Sequence, residues 1–151
     1  MENRYINEDY ALLGAELIRT EPSLQHILDS QATIVFLSSD CEKRSNGRLV
    51  YAMCERVPWK WKWAVPCDFT VTVFDANVAR FTDEQMRILL LHELLHVGIE
   101  RDGNEERYFL VPHDIEDFRE VIDRFGLEWN GQAGKAKRAR RGPSRADGPR
   151  E

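Results

Sequence analysis

The sequence predicts a small α+β domain: an N-terminal helix, a roughly three-stranded and mostly antiparallel sheet, a long helix, and a C-terminal helix. Three observations predict it. Apolar residues recur at helical spacing near the start and again around residues 115–125. Between these lie short β-branched and aromatic runs separated by turn signals. One Leu-rich segment carries the start signals of a helix able to cover one face of a sheet.

The elements follow in order. In "INEDYALLGAELIRT", Ile6, Tyr10, Leu13 and Leu17 share a helical face, and Asn7 can cap its start. Pro22 ends that pattern or begins a short helix through "SLQHILDS". "ATIVFLSS" reads as a strand over 33–37, and Asn46-Gly47 signals a hairpin turn into "LVYAMCERV". In "PWKWKWAVPCD", Trp59, Trp61 and Trp63 alternate with Lys60 and Lys62, which predicts an extended segment with one aromatic face. "FTVTVFDA" is a strand with Phe69, Val71 and Val73 on one side. Thr82 and Gln85 form a capping box, and Asp83 and Glu84 suit a helix N-terminus, so a helix runs from there to about Val97, with Gly98 as its stop. "IERDGNEERYFLVP" reads as a polar loop. Asp114 can cap a last helix that buries Ile115, Phe118, Ile122 and Phe125 and ends at Gly126.

With 151 residues, 42% of them apolar, the chain can bury one ordinary core. Mean hydropathy is -0.51, and no apolar run is long enough to cross a bilayer. The start, "MENRYINEDYALLG", has acids and amides where a signal peptide would be basic and then apolar, so a cytoplasmic protein is expected. Cys41, Cys54 and Cys67 are odd in number and form no CxxC, which argues for unpaired thiols. The net charge of -5 is unevenly spread: residues 130–151 hold seven Lys/Arg and two acids, leaving -10 on residues 1–129. The reading is therefore a folded domain over 1–129 and a basic tail over 130–151, in which no large apolar side chain offers anything to bury.

The chemistry concentrates in "ILLLHELLHVGIERDG", which holds His-Glu-x-x-His at His92, Glu93 and His96. Residues four apart share a helix face, so two imidazoles can reach one zinc ion. Glu93 lies about 100° around the helix, placed to take a proton from a zinc-activated water rather than to bind the metal. With four His in the chain, chance alone gives the pattern in about one shuffle in a hundred. The capped helix after a strand narrows it further, since a charged Glu93 in this apolar run is hard to explain as core.

A catalytic zinc takes three protein ligands. An HExxHxxGxxH continuation would need Gly at 99 and a ligand at 102, where Ile99 and Asp102 stand, and Met1, Met53 and Met86 all precede the motif, so that arrangement fails. Asp102, Glu116 and Glu120 remain candidates for the third ligand, and His113 is the best of them, stiffened by Pro112 and set before the last helix. His26 lacks such company and reads as a surface or packing histidine. The sequence identifies no residue for the oxyanion; Tyr108 is only a guess.

Taken together, "FTVTVF", "LLLHELLHVGI" and "VPHDIEDFREVIDRFG" resemble the putative phage metallopeptidase family, similar in pattern to the SprT-like zincins, over roughly residues 33–126. The resemblance implies a small zincin-like domain and a zinc-dependent peptidase in which His92, His96 and His113 bind Zn2+ and Glu93 is catalytic. It also implies a peptide or protein substrate, paired to a strand edge in "FTVTVFDA" or the Trp-Lys segment, with Trp59, Trp61 or Trp63 lining its approach. Two rival readings stand beside it. A nucleic-acid-associated protein could contact phosphates through the tail at 135–145. A catalytically inactive module could use zinc only as a staple.

Overall fold

The structure, a computed structural model, describes residues 1–113. The expected C-terminal helix beginning at Asp114 and the tail at 130–151 lie outside the described residues. The chain divides into two compact units, Met1–Pro112 and His113–Glu151. The elements described here belong to the first. They are β1 (Arg4–Ile6), α1 (Glu8–Thr20), α2 (Gln25–Leu28), β2 (Ile34–Ser39), β3 (Arg44–Ser45), β4 (Arg48–Leu49), β5 (Ala52–Arg56), β6 (Phe69–Phe74), α3 (Asp83–Leu94), β7 (Val97–Asp102) and β8 (Glu105–Leu110).

The main sheet has four strands in the order β1-β2-β6-β5. Its most apolar strand, β6, takes an inner place, where Phe69, Val71, Thr72, Val73 and Phe74 are all fully buried. The β1–β2 and β5–β6 pairs are antiparallel, so the sheet is mostly antiparallel as the sequence predicts, but β2 and β6 run parallel. A parallel pair needs a long crossover. Here it spans residues 40–68 and contains β5 and the small hairpin of β3 and β4. That hairpin turns on Asn46 (φ 52°) and Gly47 (φ 78°), the two positive φ values that a type I′ turn demands. The turn is where the sequence puts it, yet it closes only a two-residue ladder and does not join β2 to its sheet neighbour.

Three expectations need correction. Ile6 belongs to β1 and is 61% exposed; it does not sit on the helix face. Strand β1 has only three residues, too few for a period-two signal to stand out. The Trp-Lys segment is not extended. Pro58 leads into a 3-10 turn over Trp59–Trp61, Trp61 N–H donates to the Pro58 carbonyl at 2.9 Å, and Lys62 turns inward to pair with the buried Asp68. Trp59 and Trp63 are more than 80% exposed. The polar loop after the long helix is a β-hairpin of β7 and β8, with Asp102 opposite Glu105 across a two-residue turn led by Gly103 at φ 69°.

Helix α1 starts where Asn7 accepts a hydrogen bond from Tyr10 N–H, and it lies against the sheet. The contact is close at Gly14, where an added Cβ would sit 2.3 Å from the Phe36 ring. Leu17, Leu24, Phe36, Phe69, Val71, Val73, Leu90 and Leu94 form a continuous core between the helices and the sheet. Cys41, Cys54 and Cys67 are unpaired thiols. Among the described residues, no helix is long and apolar enough to cross a membrane.

Candidate metal centre

Helix α3 presents the motif, and its start is built as the sequence predicts. Gln85 N–H donates to Thr82 Oγ1 at 3.1 Å, and Thr82 N–H donates to Gln85 Oε1 at 2.8 Å. Leu90 and Leu94, four residues apart, are fully buried and fix the rotation of the helix against the core. That rotation leaves His92 exposed and Glu93 only 5% exposed. The helix ends at Leu94, three residues earlier than expected, so His96 stands just beyond it. His96 N–H still donates to the Glu93 carbonyl, a tighter last turn that keeps the two imidazoles together. Their ring centroids are 5.2 Å apart.

Gly98 is not the helix stop. It lies inside β7, where a Cβ would meet the Phe109 ring at 2.4 Å. The hairpin can close against the helix end only with glycine there. Closing it returns the chain to His96: Val111 N–H donates to the His96 carbonyl at 2.8 Å, and the Val111 carbonyl accepts from His96 Nδ1 at 2.6 Å. A proton held on Nδ1 makes Nε2 the lone-pair nitrogen, the tautomer of a ligand imidazole whose other nitrogen is anchored to a carbonyl. Sequence reasoning missed this partner, since a backbone carbonyl leaves no mark in a sequence.

Two residues past Val111 comes His113. The nitrogens that His92, His96 and His113 could offer a metal all lie within 4.8 Å of one another, and His113 is exposed. The other candidates fare differently. Asp102 sits at the hairpin tip, six strand residues from His96, a separation of about 20 Å. Glu116 and Glu120 lie outside the described residues, as does the basic stretch 135–145. His26 holds the Val97 carbonyl at 2.8 Å through Nε2, tying α2 to β7, which is a packing role. Tyr108 Oη donates to Glu106 Oε1 at 2.8 Å, and its ring packs edge-on to Phe69, so its hydroxyl is already engaged.

Burial pushes the Glu93 carboxyl up to about 7, while the charge of His96 works in the opposite direction. His92 Nε2 lies 3.9 Å from Glu93 Oε2. Strand β5 contributes a thiol to the surroundings: burial pushes Cys54 up to about 12, helped by the negative charges of Glu93 and Glu55. A cavity of about 400 Å³ opens beside the motif, with His92 and Glu93 in its wall. Among the described residues, Trp59, Trp61 and Trp63 are not in its wall. Strand β6 is paired on both sides and has no edge to offer a substrate. The site thus combines three convergent imidazoles able to hold a metal, a nearly buried carboxylate next to two of them, and an open space at its side.

Neither a curated protein nor a solved structure matches the chain. A family model does, that of the family described as "Putative phage metallopeptidase", over residues 3–137. That span covers the sheet, the motif helix, the hairpin and His113, and the chain belongs to the putative phage metallopeptidase family.

Proposed function

We propose that the protein is a zinc-dependent metallopeptidase in which His92, His96 and His113 hold the ion and Glu93 is the general base. The observation that carries this reading is the approach of three imidazoles to within 4.8 Å beside a carboxylate that is 5% exposed. Tetrahedral zinc with Zn–N distances of roughly 2.0–2.1 Å needs nitrogens about 3.3 Å apart, so the donors fit after a closing of at most about 1.5 Å, within reach of side-chain rotation. Three neutral nitrogen donors also suit zinc better than a hard cation such as calcium or magnesium, which prefers oxygen.

When bound, zinc supplies a Lewis acid that polarises the scissile carbonyl and makes water a nucleophile near neutral pH. The chain's own groups do the rest. Val111 holds the proton on His96 Nδ1 and so orients that ring. Glu93 accepts the proton of the attacking water and passes it to the leaving amine. Burial raises the Glu93 carboxyl above the ordinary carboxylate range, which strengthens it as a proton acceptor. The inactive-module reading is the weaker one. Structural zinc sites are closed by four protein ligands, whereas this cluster has three members among the described residues, with His92 and His113 exposed.

Glu93→Gln tests the assignment. The variant should bind zinc as the wild type does and cleave a denatured protein substrate at least about 100-fold more slowly, the smallest loss typical of a missing general base. Unchanged cleavage would remove Glu93 from the mechanism.

A further inference from the structure

The cavity beside the motif is shaped by the same helix that carries it. Gln85, Ile88, Leu89 and His92 follow one another at i, i+3, i+4 and i+7, so they form one strip along α3, about 10 Å long. Facing that strip are Tyr51, Ala52 and Phe81, the two rings tilted at 57° with centroids 4.9 Å apart. Ile88 is 56% exposed, an apolar side chain left to water on a helix whose core face is already occupied by Leu90 and Leu94. His92 and Glu93 are in the cavity wall. The cavity is therefore apolar along its length and chemical at one end.

We propose that this cavity is the side-chain subsite of the enzyme, and that it selects a large apolar residue, aromatic or a long aliphatic, next to the scissile amide. The inference rests on the peptidase reading above and adds its substrate class. Three features support it. The volume, about 400 Å³, admits an aromatic side chain with part of its backbone. An acidic side chain would enter walls formed by Tyr51, Ala52, Phe81, Ile88 and Leu89 and lose its hydration against them. A small side chain would leave Ile88, Leu89, Tyr51 and Phe81 wet, losing the gain from burying them. An apolar occupant covers these four and brings its own amide to the end of the strip where Glu93 stands.

Binding and cleavage separate the possibilities. Zinc-loaded Glu93→Gln protein is titrated with blocked dipeptides, acetyl-Gly-Phe-amide and acetyl-Gly-Ala-amide, by calorimetry and by NMR of the Ile88 and Leu89 methyls. The Phe peptide should bind at least tenfold more tightly and shift those methyls. Ile88→Asp, at an exposed position where the fold tolerates a charge, should abolish that preference, and Ile88→Ser serves if the Asp variant does not fold. In the wild type, peptides with Phe should be cleaved about 10- to 200-fold more efficiently than those with Ala, the range that hydrophobic pockets deliver. Equal or undetectable affinity for the two peptides, or methyl shifts confined to other parts of the protein, overturns the proposal. Cleavage with no preference for Phe overturns it while leaving the peptidase intact. Selective binding that depends on Ile88, without cleavage by the wild type, upholds the subsite and defeats the peptidase reading instead.

Discussion

At the scale of single residues, the spacing of His92, Glu93 and His96 was legible because a helix turns it into geometry. The carboxylate beside the two imidazoles, Glu93, is almost completely buried. The residues that orient the site were not legible. Val111 acts through its carbonyl, and Cys54 enters the neighbourhood of Glu93 from β5, far away in sequence. The thiol yields a pH prediction. Its folded pKa, pushed up to about 12, lies above the ordinary value of 9.0, so the neutral thiol is the form the fold favours. At pH 8 only about one Cys54 in 10⁴ is a thiolate. Alkylation of native protein at pH 8, followed by mass spectrometry, should label Cys54 far more slowly than in denatured protein, and the native rate should rise steadily towards pH 11. Native labelling at pH 8 as fast as in the denatured chain would refute the assigned environment.

At the scale of elements, the starts of α1 and α3 are legible in the sequence and the β7–β8 hairpin is not. Capping signals are local, so Asn7 and the Thr82–Gln85 pair announced their helices correctly. The hairpin of β7 and β8 reads as a polar loop in the sequence because most of its residues are exposed, which leaves no alternation of apolar and polar positions to detect. Its Asp102-Gly103 pair was the signal available, since a glycine with positive φ leads the turn. The Trp-Lys alternation misled for the opposite reason: it mimics a strand, while Pro58 and the Lys62–Asp68 pair fold it into a turn. The hairpin is the element that joins fold to site, which makes Gly98 the position to perturb. Gly98→Ala forces the Phe109 ring aside and should cost about 1–3 kcal/mol in denaturant unfolding, with weaker zinc binding as the His96–Val111 contacts shift. Gly98→Ala combined with Phe109→Ala should restore zinc binding in part, because the smaller side chain makes room. A neutral Gly98→Ala variant would mean that the close packing is not needed.

At the scale of the whole molecule, the α+β class and the mostly antiparallel sheet were legible, but the strand order was not. Sequence order suggested neighbours joined by the Asn46-Gly47 turn. The most apolar strand, β6, instead enters between β2 and β5 and so buries both of its faces. Pairing of this kind is decided by total burial, which no local pattern encodes. A metal held by residues from the helix end and from beyond the hairpin would also couple the site to stability. At a zinc concentration about 100 times the Kd, the bound ion stabilises the fold by roughly 2.7 kcal/mol, so chelation should lower Tm by several degrees. An unchanged Tm after complete zinc removal would show that the site and the fold are independent.

The central claim is that three histidines, two from the motif and one from beyond the hairpin, form one zinc centre. Elemental analysis of purified wild type and His113→Ala tests it most directly. Wild type should carry close to one zinc per chain, and the variant, folded by circular dichroism, should lose most of it after dialysis at neutral pH. A variant that keeps its zinc in full would contradict the claim and return the third ligand to another residue.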